Sequence, residues 1–446
     1  MQSSYARSTR PPGISVMLWG GFLTLFLASG VATAQQRDTT RRSPRDSVRA
    51  DSARAADSIA VVRELERLQG EPKTPTQGQP QQGQGPTNAR LLPDISAVGD
   101  LVGDLSPKGS TQENGARFAV REVEIAVQAA VDPYFRGDVF LGFSDLEKVS
   151  IEQAYLTATA LPWGLEVRLG RLLMPVGKQN TTHRHDLHTI DHSYAVQRFF
   201  GEEGLKGTGI YASRIFAPFG FYQELILTAV DRFGGADEGV PSSIEPVNKK
   251  LGGLGYSGRL RNYWDLNEAT NLELSFSGVT GKREQPLESS GVGLSFSTPA
   301  RQTVLGTDFT YRWRPLQQGL YKSFILQGEF LQQLNEKDPR LLLPSGVPSA
   351  GITYQGPARN FSGGYVFARY QLTRRGFLGA RFDSFQDEAA AGRTSTAGSG
   401  YLEWFPSEFS KLLAGYERYS PAEGSATNRI LLQATFALGP HKPHPF

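Results

Sequence analysis

From about Asp94 to the end of the chain, apolar and polar residues alternate with a period of two. No other feature limits the fold as tightly. In Arg121 to Gln128, Val123, Ile125 and Val127 alternate with Glu122, Glu124 and Gln128. In Phe135 to Phe143, Val139, Leu141 and Phe143 answer Arg136 and Asp138. In Leu165 to Leu169 three aliphatics flank Glu166 and Arg168, and in Leu378 to Asp383 Leu378, Ala380 and Phe382 alternate with Arg381 and Asp383. The last run places Ile430, Leu432, Ala434, Phe436 and Leu438 on one face. Successive strand side chains point to opposite faces, so each run makes a sheet with one apolar side and one charged side.

The connections decide between a soluble sandwich and a membrane barrel. Tight turns fall at 131–133, 161–163, 217–219, 267–268, 316–319, 374–376 and 406–408. Longer loops span 106–115, 176–206, 232–249, 284–301, 335–361, 386–397 and 420–427, with 144–147 as one short exception. Short turns at one end and long loops at the other follow the outer-membrane rule, with short turns in the periplasm. Charged or polar residues interrupt every apolar run after the first 34 residues before it reaches about 18. Any membrane-spanning part must therefore be a sheet closed on itself. The expected fold is an all-β, antiparallel transmembrane β-barrel of about 16 strands, within a range of roughly 14 to 18. A barrel of that size encloses a lumen.

The N-terminus reads as an export signal over residues 1–34. Arg7 and Arg10 precede an apolar core from Val16 to Leu27, and Ala32-Thr33-Ala34 supplies a small-residue cleavage site. Residues 35–90 are of low complexity. Ala55, Ile59, Val62, Leu65 and Leu68 fall near helical spacing, and Thr74 to Pro86 is a Gln/Gly/Pro linker. This segment is expected to be disordered or partly helical, with the barrel filling 91–446.

The chain has no cysteine, so disulfides cannot stabilise it. A net charge of +3 gives no reason to expect nucleic acid as a partner. The 26 phenylalanines and 16 tyrosines suit the aromatic girdles of a membrane barrel. No G-x-S-x-G, H-E-x-x-H or Walker loop occurs, and inward carboxylate pairs such as Glu122 and Glu124 are explained as lumen charge, so the expectation is not an enzyme. Phe436 or Phe446 could serve the barrel-assembly machinery as a C-terminal signal.

The most distinctive local sequence is the long reach 176–206. It holds four of the six histidines, His183, His185, His188 and His192. Imidazoles and neighbouring carboxylates are zinc ligands, although this spacing matches no standard zinc motif. Loop histidines that hydrogen-bond the barrel wall are the other reading. A charged loop of this length can fold inward, and rings of charge are how aqueous pores select ions. Lys178, Arg184, His185, Asp186 and Arg198 are the constriction candidates. Glu202 and Glu203 are further constriction candidates, or alternatively hold the loop to the wall by ion pairs.

Between Pro93 and Asp231 a series of segments appears in order: Pro93-Asp94-Ile95-Ser96, Arg121-Glu122-Val123-Glu124, Val131-Asp132-Pro133-Tyr134, Ile151-Glu152-Gln153-Ala154-Tyr155, Gly170-Arg171, Gly177-Lys178-Gln179-Asn180, His183-Arg184-His185 and Gly201-Glu202-Glu203-Gly204. In these segments the chain resembles the phosphate-selective porin group and its relatives, including proteins labelled zinc-regulated TonB-dependent outer-membrane receptors. The resemblance implies a 16-stranded barrel, often a homotrimer, that sits in outer-membrane lipid and passes small solutes or ions. The leading expectation is thus a passive porin-like channel for small hydrophilic solutes, with no cofactor. A zinc-linked uptake protein using the histidine loop, and a secreted soluble β-protein or hydrolase, are the alternatives.

Overall fold

The computed structural model describes residues 93–112, 115–144, 148–202, 204–233, 254–288, 295–337, 358–387 and 393–439. The expected signal peptide, the low-complexity segment, the tail with His441, His444 and Phe446, and Glu203 lie outside the described residues.

Strand alternation runs through sixteen strands. The first eight are β1 (Asp94–Asp104), β2 (Phe118–Ala130), β3 (Phe135–Ser144), β4 (Lys148–Ala158), β5 (Leu165–Leu173), β6 (Lys206–Phe216), β7 (Tyr222–Phe233) and β8 (Gly255–Asn267). The second eight are β9 (Thr270–Glu288), β10 (Ser295–Trp313), β11 (Phe324–Lys337), β12 (Ala358–Gln371), β13 (Gly376–Asp387), β14 (Arg393–Ser407), β15 (Ser410–Ser420) and β16 (Thr427–Leu438). Each pairs antiparallel with its sequence neighbours, and β1 pairs with β16, so the sheet closes into a barrel. Closure leaves no strand edge unpaired, the condition a sheet must meet in hydrocarbon.

The two faces sort as the alternation predicts, with the apolar side outward. On β14 and β16, Leu402 and Leu438 are 56% and 59% exposed on the outer wall. Their inward neighbours Glu403 and Ala437 are buried. Asp100, Glu124, Glu329, Arg381, Asp383 and Lys411 are likewise buried inside. A closed sheet with an apolar exterior and charges within is stable in a bilayer and not in water. Among the described residues no helix is long and apolar enough to cross a membrane, and the strands do so instead. The chain is an outer-membrane β-barrel.

All seven expected tight turns join consecutive strands at one end. Two expected loops prove to be mostly strand. β9 runs to Glu288 paired with β10 from Ser295, and β13 runs to Asp387 paired with β14 from Arg393. The side chains there are too polar to signal a spanning strand. The backbone groups of sequence-adjacent strands still satisfy one another, so the hairpin ladder continues past the spanning part.

At the β1–β16 seam, Gly99 faces Phe436 across the register. A Cβ at Gly99 would meet the Phe436 ring, so the glycine gives that outward aromatic its place over the closing pair.

Candidate functional site

The reach between β5 and β6, from Met174 to Leu205, folds into the barrel. It makes no return along the outside. Local sequence sets its entry and exit. Gly177 turns the chain at φ +65°, and its N–H donates to Ser277 Oγ of β9 at 3.0 Å. Asn180 fastens the two ends together. Its Nδ2 donates to Met174 O at 2.7 Å and its Oδ1 accepts from Leu205 N at 2.6 Å. Ser193 then caps a short helix, α1 (Tyr194–Phe200), with Oγ accepting from Val196 N at 3.2 Å. Gly201, at φ +84°, ends it.

Val196, Phe199 and Phe200 lie three and four residues apart on one face of α1. With Met174, Val176 and Leu205 they bury against Val230, Val279, Val304, Leu331 and Phe361 of β7 and β9 to β12. Part of the lumen is thus filled by a dry core. Each fully buried phenylalanine contributes about 1.5–3 kcal/mol to holding the loop there.

Polar contacts fix the rest of the loop around the wall. Lys178 Nζ lies 3.0 Å from both carboxylate oxygens of Glu273 on β9. Gln179 N donates to Glu329 of β11 at 3.1 Å. His183 Nδ1 is 2.9 Å from Glu124 of β2, and its Nε2 is 2.7 Å from Gln153 Nε2 of β4. His188 Nδ1 is 3.3 Å from Glu403 of β14. Asp191 bridges Arg121 of β2 at 2.9 Å and Arg429 of β16 at 3.1 Å, and its carbonyl accepts from Arg381 of β13 at 2.7 Å. Tyr194 N donates to Asp383 of β13, and its hydroxyl to Glu417 of β15. Lys411 Nζ donates to the carbonyls of His185 and Leu187.

The candidate residues separate by position. Lys178 lines a cavity of about 320 Å³ beside β4 to β8. Arg184 lines a smaller pocket of about 40 Å³ with His183, His192 and Lys206. His185 is buried with its ring stacked on His183 at 5.5 Å, and Asp186 is more open beside it. Arg198 lies over the rings of Phe199 and Phe361, against the dry core. Glu202 lies 4.0 Å from Arg184 of the same loop. Asp191, which the sequence reading did not single out, fastens the loop to the wall. Its partners Arg121 and Arg429 are distant in sequence and gave no local sign.

The four histidines do not converge. His183 faces Glu124 and His188 faces Glu403. His192 sits between the carbonyls of Glu202 and Thr182, each 3.1 Å away. Burial, and then Arg184, push the His192 pKa down to about 4. Burial also lowers His185 and His188. Among the described residues no group of three or more His, Asp or Glu side chains is arranged to hold a metal ion. The zinc reading has no ligand set there: His183 and His188 contact the wall, and His185 and His192 contact the loop itself.

The sequence reading missed the other side of the larger cavity. Arg168 of β5 and Arg259 and Arg261 of β8 join Lys178 there, facing Tyr155 of β4 and Tyr211 of β6. Their signal was present: all are charged or aromatic residues on the inward phase of their strands.

No family model matches the chain. An uncharacterized protein of Aquifex aeolicus (strain VF5) is 25% identical over 344 residues, covering 74% of this chain and 70% of that protein. Among solved structures, the outer membrane channel DcaP of Acinetobacter baumannii is similar with a TM-score of 0.49 at 12% identity, covering 79% of this chain and 99% of that one. OmpT, an outer membrane protein of Vibrio cholerae in trimer form, gives 0.48 at 11% identity, covering 78% and 99%. An anion-selective porin from Comamonas acidovorans gives 0.45 at 11% identity, covering 78% and 98%.

Proposed function

We propose that this barrel is a passive outer-membrane channel for small hydrophilic solutes or ions, and not an enzyme. One observation carries the reading. The loop between β5 and β6 crosses the lumen and is fastened to β2, β4, β9, β11 and β13 to β16, yet leaves a charged cavity beside β4 to β8. An inward loop narrows a pore, and the charged groups at the narrowing select what passes. Lys178 is the loop residue best placed for that role, with Arg184, His185 and Asp186 on the same reach.

Two of the inward carboxylates that might suggest catalysis are engaged by basic side chains. Glu152 pairs with Lys206, and Glu403 with Arg369 and His188. The resemblance to phosphate-selective porins makes phosphate one solute worth assaying. A homotrimer in outer-membrane lipid, inserted by the barrel-assembly machinery, fits the apolar exterior. Leu101, Phe118, Leu402, Trp404 and Leu432 there surround a hollow of about 630 Å³.

Liposome swelling tests the reading. Vesicles carrying the full chain should swell in arabinose and glucose, and more slowly as sugar size increases. Vesicles that hold folded barrel and swell in none of these sugars would contradict it.

A further inference from the structure

We infer that the cavity beneath the inward loop binds small organic carboxylates that carry an apolar or aromatic body. The inference rests on the channel reading for its physiological meaning, though the binding site itself does not depend on conduction.

Cations from three elements meet at this cavity: Lys178 of the loop, Arg168 of β5, and Arg259 and Arg261 of β8. Among the described lining residues there is no carboxylate. Arg168 pairs with the partly open Glu166 at 2.7 Å, and the acids that balance the other cations stand behind them. Glu273, only 4% exposed, faces Lys178 at 3.0 Å, Arg261 at 3.3 Å, Arg312 at 3.8 Å and Arg259 at 3.9 Å. One carboxylate thus serves four cations. Asp308 is fully buried against Arg259. Arg261 engages Glu224 through Nη1 and Glu273 through Nε, and a guanidinium carries further donors. The surface presented to a solute is a set of charged donors suited to an oxyanion.

Another part of the cavity lining is unlike a porin wall. Leu172, Tyr211 and Ile226 form one buried cluster, with Tyr155 packed against it. The lumen side of a channel is ordinarily polar. An apolar patch there gives nothing to inorganic phosphate or to a sugar, but it does favour a ring or short alkyl body. Arg168 ties the two sides together, lying 5.3 Å from the Tyr155 ring centre and 5.0 Å from that of Tyr211. The volume of about 320 Å³ sits at the small end of ligand pockets, which run from roughly 300 to 1,000 Å³. A solute with a carboxylate at one end and a ring at the other matches both sides at once.

Benzoate, acetate and inorganic phosphate distinguish the possibilities on the full chain in planar bilayers carrying KCl current. Benzoate should interrupt the current at a concentration about tenfold or more below acetate, since a ring placed on the apolar patch is worth at least that factor. Tyr211→Ala should bring benzoate to the level of acetate, and Arg261→Gln should weaken both. Ile226→Thr gives a milder version of the first change should Tyr211→Ala fail to fold. Conducting channels in which phosphate or acetate blocks as well as benzoate would overturn the inference and leave the channel reading standing. A silent barrel would overturn the channel reading. Saturation-transfer NMR of benzoate on the detergent-solubilised protein then decides the site by itself: a signal that falls in Tyr211→Ala supports it, and no signal, or one unchanged by the substitution, overturns it.

Discussion

The imidazole Nδ1 of His183 lies 2.9 Å from the Glu124 carboxylate, joining the middle of the inward loop to β2. Burial alone would lower the His183 pKa. Glu124 outweighs it, with help from Asp186 and Glu122, and the value is pushed up to about 9. A raised folded pKa stabilises the loop fully below the unfolded value of about 6.5, and the stabilisation is lost as pH rises through about 9. Protonated, the ring donates to Glu124 and, once the Gln153 amide turns over, to its oxygen. Neutral, it donates from Nδ1 and accepts from Gln153 at Nε2. NMR titration of the ring should show a midpoint near 9, and channel current noise should rise over the same range. A His183→Gln channel should show no such step, and a wild-type midpoint at or below about 6.5 would count against the ion pair.

Asp191 bridges β2 and β16 through Arg121 and Arg429, and those arginines, after the cost of burial, hold its pKa down to about 2. Asp191→Asn keeps the shape and removes the charge. The loss is about 1–3 kcal/mol, a factor of about 5 to 150 in loop opening. Trypsin cleavage at Arg184 or Arg198 should accelerate by that factor while the barrel keeps its heat-modifiable gel migration. Unchanged cleavage would show that Asp191 does not secure the loop.

Gly177 turns the loop inward at a positive φ, and a Cβ there would collide with the Glu329 carboxylate. Gly177→Ala is therefore strained in its backbone and in its contacts. Its expected effect is a displaced loop: altered single-channel conductance with normal strand content by circular dichroism. Wild-type conductance would contradict this placement.

Phe199 is fully buried in the lumen core. Phe199→Ala should cost about 3–5 kcal/mol, as large core deletions do, and the cost should fall on the loop. Hydrogen exchange should rise across 174–205 and stay low in the strands. Equal protection in both proteins would mean that this core does not hold the loop.

Zinc titration by calorimetry should give the same negligible heat for the wild type and for the His183→Ala/His185→Ala double variant. Saturable heat in the wild type that the double variant loses would restore a metal role to the loop.

The strands were legible because membrane burial writes itself as a period of two. Ile430, Leu432, Phe436 and Leu438 all face outward on β16, and Pro133, Gly319 and Gly376 lie at tight turns. The loop was legible only as long, charged and histidine-rich. Its fold into the lumen depends on pairs such as Asp191 with Arg429 and His188 with Glu403, more than two hundred residues apart, and one sequence does not announce such pairs. The inward helix did leave a sign. Ser193 followed by Val196, Phe199 and Phe200 is a capped turn with one apolar face, which had no reason to sit in a solvated loop.

Single-channel recording of the full chain in a planar bilayer tests the central claim most directly, comparing the wild type with a variant whose residues 181–201 are replaced by a short Gly/Ser linker. A lumen narrowed by the inward loop predicts stepwise conductance in the wild type and a larger step in the variant. A folded wild-type barrel that stays silent, or two proteins with the same step, would contradict it.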